Sequence, residues 1–478
     1  MSEPEQRTLD DSATEVVDAA SVDWDVDTDV LVAGGGGTGL VAALAASERS
    51  DLRVTVLEKT DEVGGNTALS TGMVPAAGTR LQRAAGIEET PADMARDILE
   101  KNDYEADEAM VEHLARESKH LVHWLLDDWD ISLHLVDDFK YPKHSEYRMH
   151  APPGRNGETL VEELRERIDA TENVELLTNV PVTKLVADDG AVVGVVAGKR
   201  REEAIEAEKV ILATDGFAGN NRMVEKWVGE EIEDALYFGS DGNTGDGVRF
   251  GAQLGGGLAY MDSYQAHATV AYQTGALSTY AVVMNGGVLV NEDGHRFGDE
   301  SAGYSEYAID VLKQPEGIAY EIFDGEIYES LRGEFDDFDE ADDLGAYTRA
   351  ETIEELGDTL GFDGAAAREA IDSYNDAVAR DEPDEVGRLD GRKRLQSPFY
   401  GTKVTGSLFH TQGGLVVDGD GRVLREDDTP VPNLYAGGGV AHGVSGHGAG
   451  GYLSGNGLTT ALGLGRLAGI HARDSLAE

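Results

Sequence analysis

The sequence predicts an α/β nucleotide-binding domain of the Rossmann-like kind, split in two by an inserted α+β domain. Three observations carry that expectation. Residues 28–59 read as strand, glycine turn, helix and second strand ending on an acid. Residues 434–458 return to strand and glycine-turn character near the far end of the chain. Between about 260 and 394 the pattern changes to short strands and loops, then acidic helices. A chain of 478 residues is long enough to bury two sizeable cores.

The first of these segments is a βαβ dinucleotide fingerprint. Residues 30–33 form an apolar strand and lead into Gly34-Gly35-Gly36-Gly37-Thr38-Gly39. Gly34 permits the tight turn, Gly36 and Gly37 let backbone approach a pyrophosphate, and Gly39 lets the helix pack on the strand. Thr38 opens the helix, whose N-terminus faces the phosphates with its partial positive charge. The second strand, Val54–Leu57, ends on Glu58, 19 residues after Gly39, where a carboxylate accepts from a ribose hydroxyl.

A nicotinamide domain would continue with another strand–helix unit. Here Glu58-Lys59 runs instead into a second polar turn, with Gly65, Asn66, Thr67, Thr71 and Gly72 offering backbone N–H groups and hydroxyls to a longer cofactor. The stretch Gly64-Gly65-Asn66-Thr67-Ala68-Leu69-Ser70-Thr71-Gly72 resembles the GGN(T/A)xxSxG element of the FAD flavoproteins that include soluble fumarate reductases and 3-ketosteroid dehydrogenases. The resemblance implies non-covalent FAD on a glutathione-reductase type domain with a capping, substrate-binding insert. It divides the chain into a disordered acidic lead (1–26), an N-terminal stretch of the FAD domain (27–259), the cap (260–394) and a C-terminal stretch that completes the FAD domain (395–478).

The remaining elements follow from spacing. Residues 91–103, 107–127 and 159–167 have helical periodicity. Strands are expected at Val174–Leu177, 182–187 and Ala191–Ala197, with Val180 taken as a cofactor contact in the loop between the first two. A strand at 210–213 ends in Thr214-Asp215-Gly216-Phe217-Ala218-Gly219-Asn220, which resembles the family's ATGGF(G/A)GN block with Asp215 in place of a glycine. Gly242-Asn243-Thr244-Gly245-Asp246-Gly247 matches its (N/A)TGDG turn, putting Asp246 near the ribityl chain. Residues 381–393 read as a linker back. Strands at 414–417, 423–424 and 434–436 then bring Gly437 and Gly438, and Asn456-Gly457-Leu458 opens the last helix against the flavin.

Composition narrows the function further. Lys plus Arg number 39 against 92 Asp plus Glu, a net charge of −53. The acid is spread along the chain, so nucleic acid and anionic membranes are repelled, and the spread fits the cytoplasm of a salt-accumulating halophile. No cysteine is present, which excludes disulfides, Fe–S clusters, thiolate catalysis and c-type haem attachment. The lead has no basic and apolar signal pattern, and the apolar run 30–46 is short and broken by glycines. A cytoplasmic protein without a membrane span is expected.

Within the resemblance, the residues facing substrate diverge from the fumarate reductases. Two histidines of that site match, His267 in Gln265-Ala266-His267 and His410 in His410-Thr411-Gln412-Gly413-Gly414; each is either a substrate contact or a satisfied structural histidine. The arginines do not match. The RFxNE anchor is present as Arg296–Glu300, yet seven residues after Phe297 stands Tyr304 instead of the catalytic arginine. The element HGANRLGGN is replaced by His447-Gly448-Ala449-Gly450-Gly451-Tyr452-Leu453-Ser454-Gly455-Asn456, without arginine. A site lacking both guanidinium forks loses the bidentate grip that a dicarboxylate needs, unless Arg148 or Arg155 reaches in from elsewhere.

The replacements resemble the ketosteroid dehydrogenases, which use tyrosine at the first position and a Tyr-x-Ser pair at the second. That resemblance implies desaturation of a carbon–carbon bond beside a ketone, with Tyr304 transferring the proton and Tyr452 and Ser454 at the oxyanion. Ser454 is alternatively a helix cap. His295 and His447 read as loop or packing residues, and 336–343 as a solvated acidic face. The expected activity is therefore hydride exchange between flavin N5 and a small carbonyl substrate, with the electron acceptor or donor open. A fumarate- or urocanate-type enoate reductase is the alternative, and a flavoprotein that only transfers electrons or senses redox state is the third.

Overall fold

A computed structural model describes residues 14–232 and 235–477. Its larger sheet has nine strands. At its centre Val26–Ala33 lies parallel to Val54–Leu57 on one side and to Glu203–Leu212 on the other. The apolar runs that made these segments readable are buried on both faces, as a parallel sheet requires. Val174–Leu177 extends the sheet beyond Val54–Leu57. Beyond Glu203–Leu212 lie the antiparallel hairpin Val182–Asp188 and Ala191–Ala197 and, in parallel, the late strand Pro430–Ala436. The register Val210↔Leu434 is what joins the two halves of the nucleotide domain.

The helix Gly37–Ser47 packs against the final helix, Asn456–Ser475, which reaches it from the other end of the chain. Glycines make the approach close: a Cβ on Gly465 would stand 2.6 Å from the Thr38 carbonyl oxygen, and one on Gly469 2.3 Å from that of Ala42. Among the described residues no helix is long and apolar enough to cross a membrane.

The acidic lead is not disordered throughout. Glu15–Asp18 forms an edge strand parallel to Val182–Asp188, with Val16 opposite Leu185. Val17, Val22 and Trp24 pack on buried Val186 and Val196; these apolar residues outweigh the surrounding acid. Residues 1–13 lie outside the described residues.

The second sheet is built on one long strand, Phe399–Thr411, flanked by Tyr264–Ala271 and Ile318–Asp324, with Val288–Val290 beyond and the short strands Leu236–Tyr237 and Thr348–Ala350 also paired to the long one. The expected boundary at 395 is thus displaced. Phe399–Thr411 belongs to the inserted domain's sheet, and the chain rejoins the nucleotide domain after it. Helices Asp336–Asp343, Ile353–Leu360 and Gly364–Arg380 cover this unit.

The Arg296–Glu300 motif is a buried ionic anchor. Arg296 pairs with Glu300 at 2.5 Å and Asp384 at 2.7 Å, and Arg388 reaches Glu300 at 3.3 Å. Four positions beyond Glu300 stands Tyr304, first in the helix Tyr304–Leu312.

Candidate functional site

One long cavity runs from the glycine turn of the larger sheet to the inner face of the smaller one. Its nucleotide end is lined by Gly34, Gly36, Gly37, Thr38, Glu58 and Lys59, with Gly65, Asn66, Thr67 and Thr71 along the wall, then Asp215 and Asp246, and finally Gly457 and Leu458. Helix Gly37–Ser47 starts at Gly36 with no side-chain cap, and helix Asn456–Ser475 starts at Gly455 likewise. The first turn of Gly37–Ser47 therefore offers free N–H groups to the groove, ready for phosphate, while in the last helix the Asn456 and Gly457 amides are already taken by the Leu453 carbonyl and the Tyr452 hydroxyl. Asn66 accepts from the Ser240 amide at 2.8 Å, while its Nδ2 is buried without a partner. A buried orphan donor on a cavity wall fits a cofactor acceptor.

Glu58 accepts from the Gly35 amide at 2.8 Å through one oxygen and from the Thr60 amide at 2.8 Å through the other, so it braces the turn as well as facing the groove. Lys59 is tied to Asp246 at 2.9 Å, and Asp246 also receives Arg249 at 2.6 Å. Although burial opposes it, these cations hold the Asp246 carboxyl below its ordinary range. Asp215 stands where the family has glycine because it adopts φ +62°, and its own carboxylate accepts from the Gly216 amide at 2.7 Å.

Five expected cofactor contacts act from behind the wall. Gly39 packs against the turn, where a Cβ would come within 1.9 Å of the Gly34 carbonyl. Gly437 and Gly438 give room to Thr38, and Gly72 packs on Pro152. Asn456 donates to Ser445 at 3.0 Å, away from the groove. A sixth, Val180, does not line the cavity: its amide donates to the Glu58 carbonyl at 2.8 Å, and Val182, two residues on, is the lining residue.

The far end is an aromatic chamber. Tyr304 stacks on His267 (ring centroids 4.8 Å apart), His267 on Phe409 (5.1 Å) and Phe409 on Phe238 (4.9 Å). Tyr141, Tyr280 and Tyr452 approach Tyr304 at 6.0, 5.5 and 6.1 Å. The sequence identified Tyr304, Tyr452, His267 and His410, and the fold brings them together with Ser454. It held no sign of Tyr141, Tyr280, Phe238 or Phe409. These come from four distant segments with no shared spacing; only their burial in a cavity groups them.

The tyrosines are not equivalent. Burial pushes the hydroxyls of Tyr141, Tyr280 and Tyr452 far up. It also raises Tyr304, but hydrogen bonds from Ser454 and Tyr452 hold that hydroxyl to about 12. Tyr452 in turn accepts from the Gly457 amide at 3.3 Å, at the start of the last helix, which orients its own proton outward. Tyr452 and Ser454 thus support the oxygen of Tyr304. Ser454 is not the helix cap, which is Gly455; its carbonyl accepts from His144 Nε2 at 3.1 Å.

Both histidines are neutral. Burial lowers His267 to about 3, and the Thr269 amide donates to its Nδ1 at 3.3 Å, leaving Nε2 to carry the proton toward the cavity. Burial likewise lowers His410, against the pull of Asp215. Its ring lies so close to the last helix that a Cβ on Gly457 would stand 3.0 Å away.

Neither arginine supplies the missing fork. Arg148 is buried in ion pairs with Glu89, at 2.6 Å, and Asp97. Arg155 pairs with Asp138 at 2.6 Å and lies over the Phe335 ring. Neither lines the cavity, where Lys59 is the one Lys or Arg among the described residues.

A sequence model of the FAD binding domain family matches residues 29–458. The chain belongs to that family. Over 450 residues the flavoprotein is 33% identical to the fumarate reductase (cytochrome) of Shewanella frigidimarina, spanning 93% of this chain and 76% of that one. Among solved structures it is similar to a flavocytochrome c3 fumarate reductase in its open conformation, with a TM-score of 0.80 at 30% identity over 96% of this chain and 80% of that one. It is also similar to the 3-ketosteroid-delta4-(5alpha)-dehydrogenase of Rhodococcus jostii RHA1, with a TM-score of 0.75 at 27% identity over 96% and 99% of the two chains. The flavoprotein is an FAD-dependent oxidoreductase of the group that holds both kinds of enzyme, and the residues of the nucleotide end fit that cofactor.

Proposed function

We propose that the flavoprotein desaturates a carbon–carbon bond beside the carbonyl of an uncharged, largely apolar substrate. The carrying observation is the absence, among the described residues, of positive charge at the aromatic end of the cavity. The fumarate reductases' guanidinium positions are Tyr304 and the Tyr452 segment, Arg148 is spent on buried Glu89 and Asp97 and Arg155 on exposed Asp138, and His267 is neutral. A carboxylate transferred there would lose its hydration with no counter-charge, at a cost of several kcal/mol.

Bound FAD supplies the hydride acceptor. The side chains do the rest. Tyr304, the chamber's least perturbed phenol, takes the α-proton as its phenolate and becomes the phenol, and Tyr452 and Ser454 favour that phenolate beforehand by donating to its oxygen. His267 Nε2–H is the donor placed to stabilise negative charge growing on a carbonyl oxygen, and stacking on Tyr304 keeps its ring beside the base. The aromatic column excludes water from the reacting carbons.

The same groups run in reverse would make an enoate reductase, a reading favoured by the identity with the fumarate reductase. An anaerobic titration separates them. Saturated cyclic ketones are expected to bleach the oxidised flavin's visible absorbance. Failure of every ketone, with fumarate or related enoates restoring the colour of chemically reduced enzyme, would replace desaturation with reduction.

A further inference from the structure

Behind His267 runs a chain of buried polar contacts that neither the cofactor nor the proposed chemistry uses. The Thr269 amide donates to His267 Nδ1 at 3.3 Å, and the Thr269 hydroxyl donates to the Ser278 carbonyl at 2.6 Å. Ser278 lies directly between Leu277 and Thr279, both on the cavity wall. Its hydroxyl lies 2.5 Å from Glu321 Oε2 and 3.1 Å from the Tyr347 hydroxyl. Glu321 has no exposed surface, and its Oε1 is buried without any partner. Such a carboxyl in mid-strand is costly to keep, where Leu or Val would satisfy the sheet.

We propose that Glu321 is a positioning residue of the active site: it holds Ser278, Ser278 holds Thr269, and Thr269 fixes the tautomer of His267 together with the cavity wall from 277 to 280. The inference rests on the reading that His267 faces the substrate.

Burial favours a protonated carboxyl. Both oxygens lie in apolar surroundings with one hydroxyl between them, and burial raises the group to about 8 despite the Ser278 hydrogen bond. The groups facing it are the Tyr347 hydroxyl, with Asp337 and Asp342 beyond it, and Tyr280, backed by Glu300 and Arg388. Its strand neighbours, Leu289 and Thr402, bring no charge. Among the described residues no cation pairs with Glu321, so loss of its proton leaves an uncompensated buried charge that must draw water in beside Ser278 and shift the wall it belongs to.

The test follows the histidine ring and turnover together, on holoenzyme labelled with ¹⁵N-histidine. In the wild type the His267 nitrogens are expected to show the Nε2–H tautomer at about pH 7 and to shift toward pH 9, with a midpoint near 8 and the rise of turnover with pH levelling off in step. Glu321→Gln, which cannot ionise, is expected to abolish the shift and the levelling. Ser278→Ala is expected to give the altered signal already at neutral pH, with kcat down about tenfold and full flavin content, the scale of one buried hydrogen bond. Wild-type signals flat across this range, or the same midpoint in Glu321→Gln, would overturn the proposal. Should Glu321→Gln not fold, Ser278→Ala with wild-type signals and rate overturns it instead. Because the nitrogen signals need no substrate, failure of the ketone reading leaves this test intact.

Discussion

Tyr304 is the residue whose protonation decides what the chamber can do. Held to about 12 by two hydroxyl donors, it is a weak base at neutral pH and a serviceable one as pH rises. Desaturation needs the phenolate, whose fraction grows tenfold per pH unit below that value, so the desaturation rate should rise with pH beyond neutrality until Glu321 loses its proton. Reduction needs the phenol and should be flat over the same range. The direction of the pH profile therefore reports the direction of the chemistry, most cleanly in Glu321→Gln, where the levelling above about pH 8 is removed. Tyr304→Phe removes the acid–base group while keeping the ring stacked on His267, and kcat should fall about 10²- to 10⁴-fold with FAD still bound. A variant within tenfold of wild type would remove Tyr304 from the mechanism.

At the scale of elements, the glycine turn bears the cofactor through geometry that no side chain can imitate. Gly39→Ala would drive a methyl into the Gly34 carbonyl, 1.9 Å away, splaying turn from helix. The purified variant should lack flavin, read as the ratio of visible to protein absorbance, and melt well below the wild type. Gly86→Ala is the control: the site has φ +79° but open space around it, so it should cost only about 1–2 kcal/mol and bind flavin normally. Equal loss of flavin in both would show general destabilisation rather than a blocked turn. This turn was fully legible in the sequence because its constraint is local, spanning six residues. Asp215 was legible as a departure, but its left-handed backbone, the reason it can replace glycine, appears only in the structure. Phe399–Thr411 was read into the wrong half because strand pattern says nothing about which sheet a strand joins. The chamber was half legible: Tyr304 and Tyr452 stand in motifs, whereas Tyr280, Phe238 and Phe409 owe their place to three different strands and turns meeting.

For the whole molecule, the decisive quantity is charge. A surface carrying −53 repels itself, and folding concentrates that charge in a smaller volume. The acids cannot all be paired, since they outnumber basic residues 92 to 39 and several of the arginines are buried, such as Arg148, Arg296 and Arg388. Salt should therefore stabilise the fold, and its concentration dependence identifies how. Screening acts once the Debye length drops below the spacing of surface charges, about 10 Å at 0.1 M and about 3 Å at 1 M. If screening dominates, melting temperature should climb steeply below about 1 M KCl, level off above it, and respond equally to NaCl. If hydrated ions must occupy the acidic surface, the climb should continue into the molar range and differ between the two cations. A melting temperature indifferent to salt would mean that the carboxylates are neutralised some other way, and the inference of a salt-adapted protein would fall with it.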